Sequence, residues 1–279
     1  MFSKIRKAMS ERKFLWLGFS IFSIMIVLAA FAPQIAPYNP DKPKPLNRLQ
    51  QPSLRHPFGT DRYGRDVLSR VIFGARLSLF IGLSVALFVL FFGGISGLFA
   101  GYSSLADSII MRVMDALMAM PSMMLALALV AAFKPGFTNV IVALGITYMP
   151  RLARVTRAAV LEIRERTYVE AARALGADTP RILLVHISYN VLSPVLVQLT
   201  ITFAFSILIE ASLSFLGVGV PPYVPSWGSI IAQGRDYLVT APWLTTFPGI
   251  FIVATVLSVN LLGDGIRDVM DPRLKGSLR

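Results

Sequence analysis

The chain has no cysteine. A disulfide framework, a thiol nucleophile and a cysteine-based metal site are therefore excluded. Histidine is scarce as well: His56 and His186 are the only two, and their separation argues against a histidine-rich metal site. The phosphate-cradling pattern G-x-x-x-x-G-K-[ST] is absent, so the chain cannot be an ATP-hydrolysing subunit by itself. H-E-x-x-H and G-x-S-x-G are absent too. Charged residues make up only 15% of the chain, against about 25% in soluble domains. No polar constellation supports chemistry, so no catalytic residue and no metal ligand is assigned.

What the chain has instead is apolar surface. Hydrophobic residues are 55% of the 279, and the mean hydropathy is +0.65. A soluble core of this size does not need so much, and the class is a polytopic, all-α membrane protein. The net charge of +12 could indicate nucleic acid. In a membrane chain, basic cytoplasmic loops facing anionic lipid account for it better, so membrane lipid is an expected partner and nucleic acid is not.

Six spans are expected, with both termini cytoplasmic. A basic stretch holding Lys4, Arg6, Lys7, Arg12 and Lys13 precedes the nineteen uncharged residues Phe14–Ala32. At about 1.5 Å per residue that run crosses a hydrocarbon core, and it is read as an uncleaved first helix. A proline-rich segment, Pro33 to Pro57, should be extended and exposed. Val67, Leu68, Val71 and Ile72 form a stripe at helical spacing, which predicts an amphipathic helix along the outer membrane surface. The basic residues of this outer segment oppose the positive-inside bias, with Asp41, Asp61 and Asp66 as counter-charges.

Leu77–Tyr102 makes the second span and roughly Ile110–Phe133 the third, with Asp115 towards its cytoplasmic end and Pro121 inside it as a kink. Six methionines cluster there, suited either to core packing or to a surface that repacks. Pro135–Pro150 opens a fourth span. Arg151, Arg154 and Arg157 follow at spacing three, either snorkelling to lipid phosphate or orienting the loop that comes next. Val191–Ile209 is the fifth span. Glu210 near its outer end is either a functional intramembrane carboxylate, a structurally partnered one, or one that reaches the interface. Trp227, Tyr237 and Trp243 suit an interfacial belt, and the sixth span lies within Tyr237–Gly263.

Between the fourth and fifth spans lies Tyr168 to Asn190, YVEAARALGADTPRILLVHISYN. Three alanines and a leucine favour a helix over Glu170–Leu175, Gly176 ends it, and Asp178-Thr179-Pro180 reads as a cap opening a second helix. Seven arginines between Arg151 and Arg181 mark the loop as cytoplasmic. A helix–turn–helix held outside the bilayer between two spans has the shape of a docking element.

Glu170-Ala171-Ala172 followed by Gly176 resembles the EAA loop of permease subunits of bacterial ATP-binding-cassette importers. GTD-x-x-GRDVLSR with GARLSL, EASLSFLG from Glu210, PSWG from Pro225 and the tail NLLGDGIRDVMDPRL resemble the oligopeptide, dipeptide and nickel branch of that family. The chain departs from the family at His186-Ile187-Ser188-Tyr189-Asn190, where many relatives carry a proline at the position of Tyr189. The resemblance implies a type I importer permease fold in the bacterial inner membrane, serving di- or oligopeptide transport. It implies a tail, first helix and external loop over 1–76, a permease core over 77–274 with a coupling loop at 151–190, and a short tail at 275–279. Glu170, Ala171, Ala172, Gly176, Asp178 and His186 would form the ATPase-coupling loop, and Glu210, Pro121 and Asp115 are candidates for the translocation path. Implied partners are a second homologous permease, two cytoplasmic ATPases and an external binding protein. The chain itself would hold no cofactor, with ATP and magnesium bound by the ATPases. Import of nickel or a metal–chelator complex by the same machinery is one alternative, and a membrane enzyme or a stand-alone channel is another.

Overall fold

The structure is a computed structural model that describes residues 2–133 and 136–270. Lys134, Pro135, the last residues of the C-terminal signature and the tail at 275–279 lie outside the described residues. The helices are α1 (Phe2–Ala30), α2 (Ala32–Ile35), α3 (Val67–Val89), α4 (Ile95–Tyr102), α5 (Ser104–Met118), α6 (Ser122–Phe133), α7 (Phe137–Arg164), α8 (Thr167–Ala174), α9 (Thr179–Arg181), α10 (Ser188–Phe215), α11 (Trp227–Gly234) and α12 (Trp243–Met270). No strand occurs among the described residues.

Four helical stretches are long and apolar enough to cross a membrane: Lys13–Ala30, Val67–Tyr102, Val185–Phe215 and Trp243–Asp268. The α5–α6 pair passes the same test as one broken unit. The 28-residue α7 is long enough to span but carries several arginines, which lower its apolarity.

The second span differs from expectation at its start. α3 runs without a break from Val67 to Val89; of its predicted stripe, Leu68 is half-buried and Ile72 3% exposed, while Val67 and Val71 are fully buried together with Ala75. These residues pack against Trp227 and Leu244 within one apolar cluster. The amphipathic surface helix is therefore the first turns of a spanning helix, because its apolar side meets protein rather than headgroups. Asp66 caps α3, accepting from Ser69 N at 2.8 Å and Ser69 Oγ at 2.7 Å while His56 Nδ1 sits 2.8 Å from its other oxygen.

The outer segment 37–66 is not simply extended either. Pro40 is buried, and a short 3-10 turn forms at Pro45–Asn47. Arg65 Nε lies 2.6 Å from Asp61 Oδ2, and the buried Arg70 sits between Pro40 O at 3.3 Å and the carboxylates of Asp41 and Asp61 at 3.9 Å. Two of the basic residues that oppose the positive-inside bias are thus neutralised inside a folded cap.

The third span breaks rather than kinks. Pro121 stands at the junction of α5 and α6, whose axes differ by 91°. Proline offers no N–H to continue the ladder, and Ser122 restarts the helix on the far side.

α4 and α7 approach very closely. A methyl on Gly97 would sit 2.5 Å from Ala153 O, and one on Gly101 would sit 2.5 Å from Val160 Cβ. Only a residue without a side chain permits that backbone separation. α7 is thereby fixed to the second span just before it enters the loop.

Candidate functional site

The loop folds as its composition dictates. α8 covers Thr167–Ala174 and holds Glu170, Ala171 and Ala172. Gly176 follows with φ +87° and no atom within 4 Å of where a Cβ would stand, so the left-handed turn alone calls for glycine. Asp178 then caps α9, its carboxylate accepting from Arg181 N at 3.3 Å. Val169 is the one fully buried residue of α8; it joins the apolar cluster of Ile163, Ile182, Ile187 and Val191. Glu170 and Ala171 face outward, Ala172 is half-buried, and Leu175 stands 89% exposed at the tip. Val185 and Tyr189 extend the exposed apolar surface along the adjoining helix. An exposed helix flanked by large apolar side chains is a surface built for contact.

His186 is half-buried and lies in a π-helical turn, Ile182–Ile187, between α9 and α10. The wider turn makes an irregularity here without a proline. The carbonyl of His186 accepts from Asn190 Nδ2 at 2.9 Å and from Tyr168 Oη at 3.5 Å, while Asn190 Nδ2 also lies 3.1 Å from Tyr168 Oη. Tyr102 Oη and Thr179 Oγ1 are 3.2 Å apart, tying the end of α4 to the start of α9.

The arginines of α7 have protein partners. Arg157 forms a two-pronged ion pair with Asp107, its Nη2 2.6 Å from Oδ2. Arg154 Nη2 lies 2.6 Å from Asp115 Oδ1, Arg151 Nη2 donates to Ser122 Oγ at 3.1 Å, and Arg164 Nη1 donates to Gly101 O at 3.0 Å. They form a ladder along α7 that holds the end of α4, the whole of α5 and the first turn of α6. Asp115 belongs to this ladder and Pro121 to the break it bridges. The spacings could have suggested it: 151, 154 and 157 share one helix face, and 107 and 115 lie about two turns apart on another.

Glu210 does not reach the interface. It is 1% exposed, and its Oε1 accepts from Ser214 Oγ at 2.8 Å and Ser226 Oγ at 3.0 Å. Ser226 caps α11 with a reciprocal capping box. A Cβ on Gly228 would stand 3.0 Å from the same oxygen, so EASLSFLG and PSWG meet around one carboxylate. Trp227 is fully buried beside it, donating through Nε1 to Val71 O at 3.0 Å, and Trp243 donates to Thr60 O at 3.2 Å at 8% exposure. These two tryptophans are core residues rather than a belt: each indole N–H finds a backbone carbonyl inside the protein, so neither has to face the wet interface. Tyr237 remains half-exposed.

A bundle of apolar spans carries an exposed helix on a fixed stalk, and the buried polar groups described above hold its helices together. The chain belongs to the family of binding-protein-dependent transport system inner membrane components, which matches residues 90–276, and residues 1–52 match the N-terminal transmembrane domain of oligopeptide transport permease C. It is a multi-pass inner-membrane permease subunit of an ATP-binding-cassette importer and is not itself catalytic. It is 49% identical over 270 residues to a putative peptide transport system permease of Brucella suis, covering 97% of this chain and 91% of that protein. A di/tripeptide transport system permease of Pseudomonas aeruginosa is 45% identical, covering 94% and 89%. A glutathione transport system permease of Escherichia coli is 42% identical, covering 91% and 84%. Among solved structures, the MetNI methionine ABC transporter in an inward-facing crystal form matches with a TM-score of 0.60 over 73% of this chain and 97% of that one. At 19% identity this shows the type I importer permease fold alone.

Proposed function

We propose that this chain is one of two homologous permease halves of a di- or oligopeptide importer, with six spans and both termini in the cytoplasm. Two cytoplasmic ATPases, which would bind the ATP and magnesium, dock on the loops of the two halves, and an external binding protein delivers the peptide. Membrane lipid surrounds the spans. Glu170, Ala171, Ala172, Gly176 and Asp178 form the docking element, with His186 at its root. Closure of the ATPases moves α8, and the bundle exchanges inward-open and outward-open states whose balance nucleotide and loaded binding protein shift in opposite senses.

The observation that carries this reading is α8 itself: an exposed helix anchored to the body by a single buried side chain, Val169, and ended by a glycine in a left-handed turn. Small alanines on its surface let a partner approach closely. The peptide cargo is supported by the relatives, whose substrates are peptides or the peptide-like glutathione. For the path, Pro121 stands at the break of the third span, where a change of angle would open or close it, and Asp115 lies within α5 about one turn before that helix ends. Glu210 serves the path indirectly, holding α11 against α10.

The test is purification of the tagged chain in mild detergent, with partners identified by mass and ATPase activity measured with and without peptide. Recovery of an ATPase and a second permease, with the ATPase lost when Glu170→Arg is combined with Gly176→Val, is the expected result. A chain that purifies alone and conducts without nucleotide would overturn the proposal in favour of a channel.

A further inference from the structure

α8 meets the rest of the protein through two kinds of contact. One is the apolar insertion of Val169, which resists pulling but transmits little direction. The other is the hydrogen-bonded triangle of Tyr168 Oη, Asn190 Nδ2 and the His186 carbonyl, at 3.5, 3.1 and 2.9 Å. Its three members belong to three pieces of structure: Tyr168 to α8, His186 to the π-helical turn and Asn190 to the first turn of α10.

A π-helical turn holds one residue more than the α-helix around it. Moving or absorbing that residue rotates the helix beyond it relative to the helix before it, and no helix has to be unwound. What limits such a movement is the set of partners holding the local carbonyls. At His186 side chains are among those partners: Asn190, four residues on, donates to the carbonyl, and Tyr168 reaches the same oxygen from α8. A displacement of α8 therefore acts directly on the group that pins the turn. α10 begins at once beyond it and continues to Phe215, past Glu210, which holds α11 at the opposite end.

We infer that Tyr168 and Asn190 are positioning residues that link movement of the docking helix to the rotation of the fifth span, with the π-helical turn at Ile182–Ile187 as the hinge. The inference rests on the docking role of α8 proposed above. It assigns the transmission step to two polar side chains outside the alanine–glycine motif. Tyr189 itself points outward at 74% exposure and takes no part.

The test uses the complete complex in proteoliposomes, with its ATPases, second permease and binding protein, and a radiolabelled dipeptide as the probe. The quantity read is dipeptide delivered per ATP hydrolysed. Tyr168→Phe keeps the ring and removes the hydroxyl; Asn190→Asp keeps the shape and removes the donor. Both variants should keep peptide-stimulated ATP hydrolysis within about two-fold of the parent while delivery per ATP falls roughly five-fold, the weight of one hydrogen bond. A merely structural role would lower hydrolysis and delivery in proportion, and that outcome overturns the inference, as does an unchanged ratio in Tyr168→Phe. Should Asn190→Asp fail to assemble, Tyr168→Phe, which removes one oxygen from an exposed ring, decides alone. Glu170→Arg separates the two levels. If it leaves delivery intact, the docking role of α8 fails and the inference with it. If it abolishes delivery while the other two variants keep the parental ratio, only the inference fails.

Discussion

Arg157 and Asp107 face each other with two parallel contacts, guanidinium against carboxylate, fifty residues apart in the chain. The pair is about two-thirds buried on each side and joins α7, which leads into the loop, to α5, the first half of the broken span. Alanine at either position should loosen α5 from α7. Both alanines together should cost little more than one, giving a coupling of about 1 kcal/mol for a bidentate, partly screened pair. Thermal unfolding of the purified complex measures this cycle. Additive losses would mean that the two residues act separately.

Glu210 should be needed as an acceptor more than as a charge. Glu210→Gln retains an oxygen for the hydroxyls of Ser214 and Ser226 and should unfold close to the parent. Glu210→Ala leaves both hydroxyls buried without that acceptor and should lose about 2–3 kcal/mol. If the glutamine variant falls as far as the alanine variant, the negative charge itself is required.

The close crossing of α4 and α7 makes Gly97 intolerant. Its added methyl meets a backbone oxygen, Ala153 O at 2.5 Å, which cannot swing aside. Gly97→Val should cost about 3 kcal/mol or prevent accumulation of the protein in the membrane. Gly94, where the nearest atom to an added methyl is 3.7 Å away, is the matched control. Gly94→Ala should be neutral or slightly stabilising, as judged by the amount of folded protein recovered.

Asp66 caps α3 and also holds His56. Asp66→Ala should release the first turn of the helix at a cost of about 1–2 kcal/mol, while Asp66→Asn should keep most of the cap. Hydrogen exchange at the amides of Ser69 and Arg70 reads the difference directly. Equal exchange in both variants would show that the outer cap, and not the side-chain bond, holds this turn.

The loop was the part of the site most legible in the sequence. Alanines beside Glu170, glycine at 176 and the Asp-Thr-Pro run each act through local backbone chemistry, and the structure has the helix, the left-handed turn and the cap where these residues require them. The third span shows where such reading stops. Pro121 marks a disturbance, but a kink and a 91° break need the same residue. The ladder from Arg151 to Arg164 and its partners at Gly101, Asp107, Asp115 and Ser122 decides between them. Trp227 is similar: an indole suits an interface as well as a core, and only the nearness of Val71 O settles which.

The sequence by itself determined that this is a helical membrane protein with a basic, helix-bearing loop between two spans. Apolar run length against a bilayer about 30 Å thick is a sum over neighbouring residues and needs no knowledge of packing. The tertiary structure alone decided which polar groups meet: Glu210 with Ser226, Arg157 with Asp107, and Tyr168 with the carbonyl of His186. Those pairings depend on how closely the helices approach, and that distance is set by packing between segments far apart in the chain, as where Gly97 lies against Ala153.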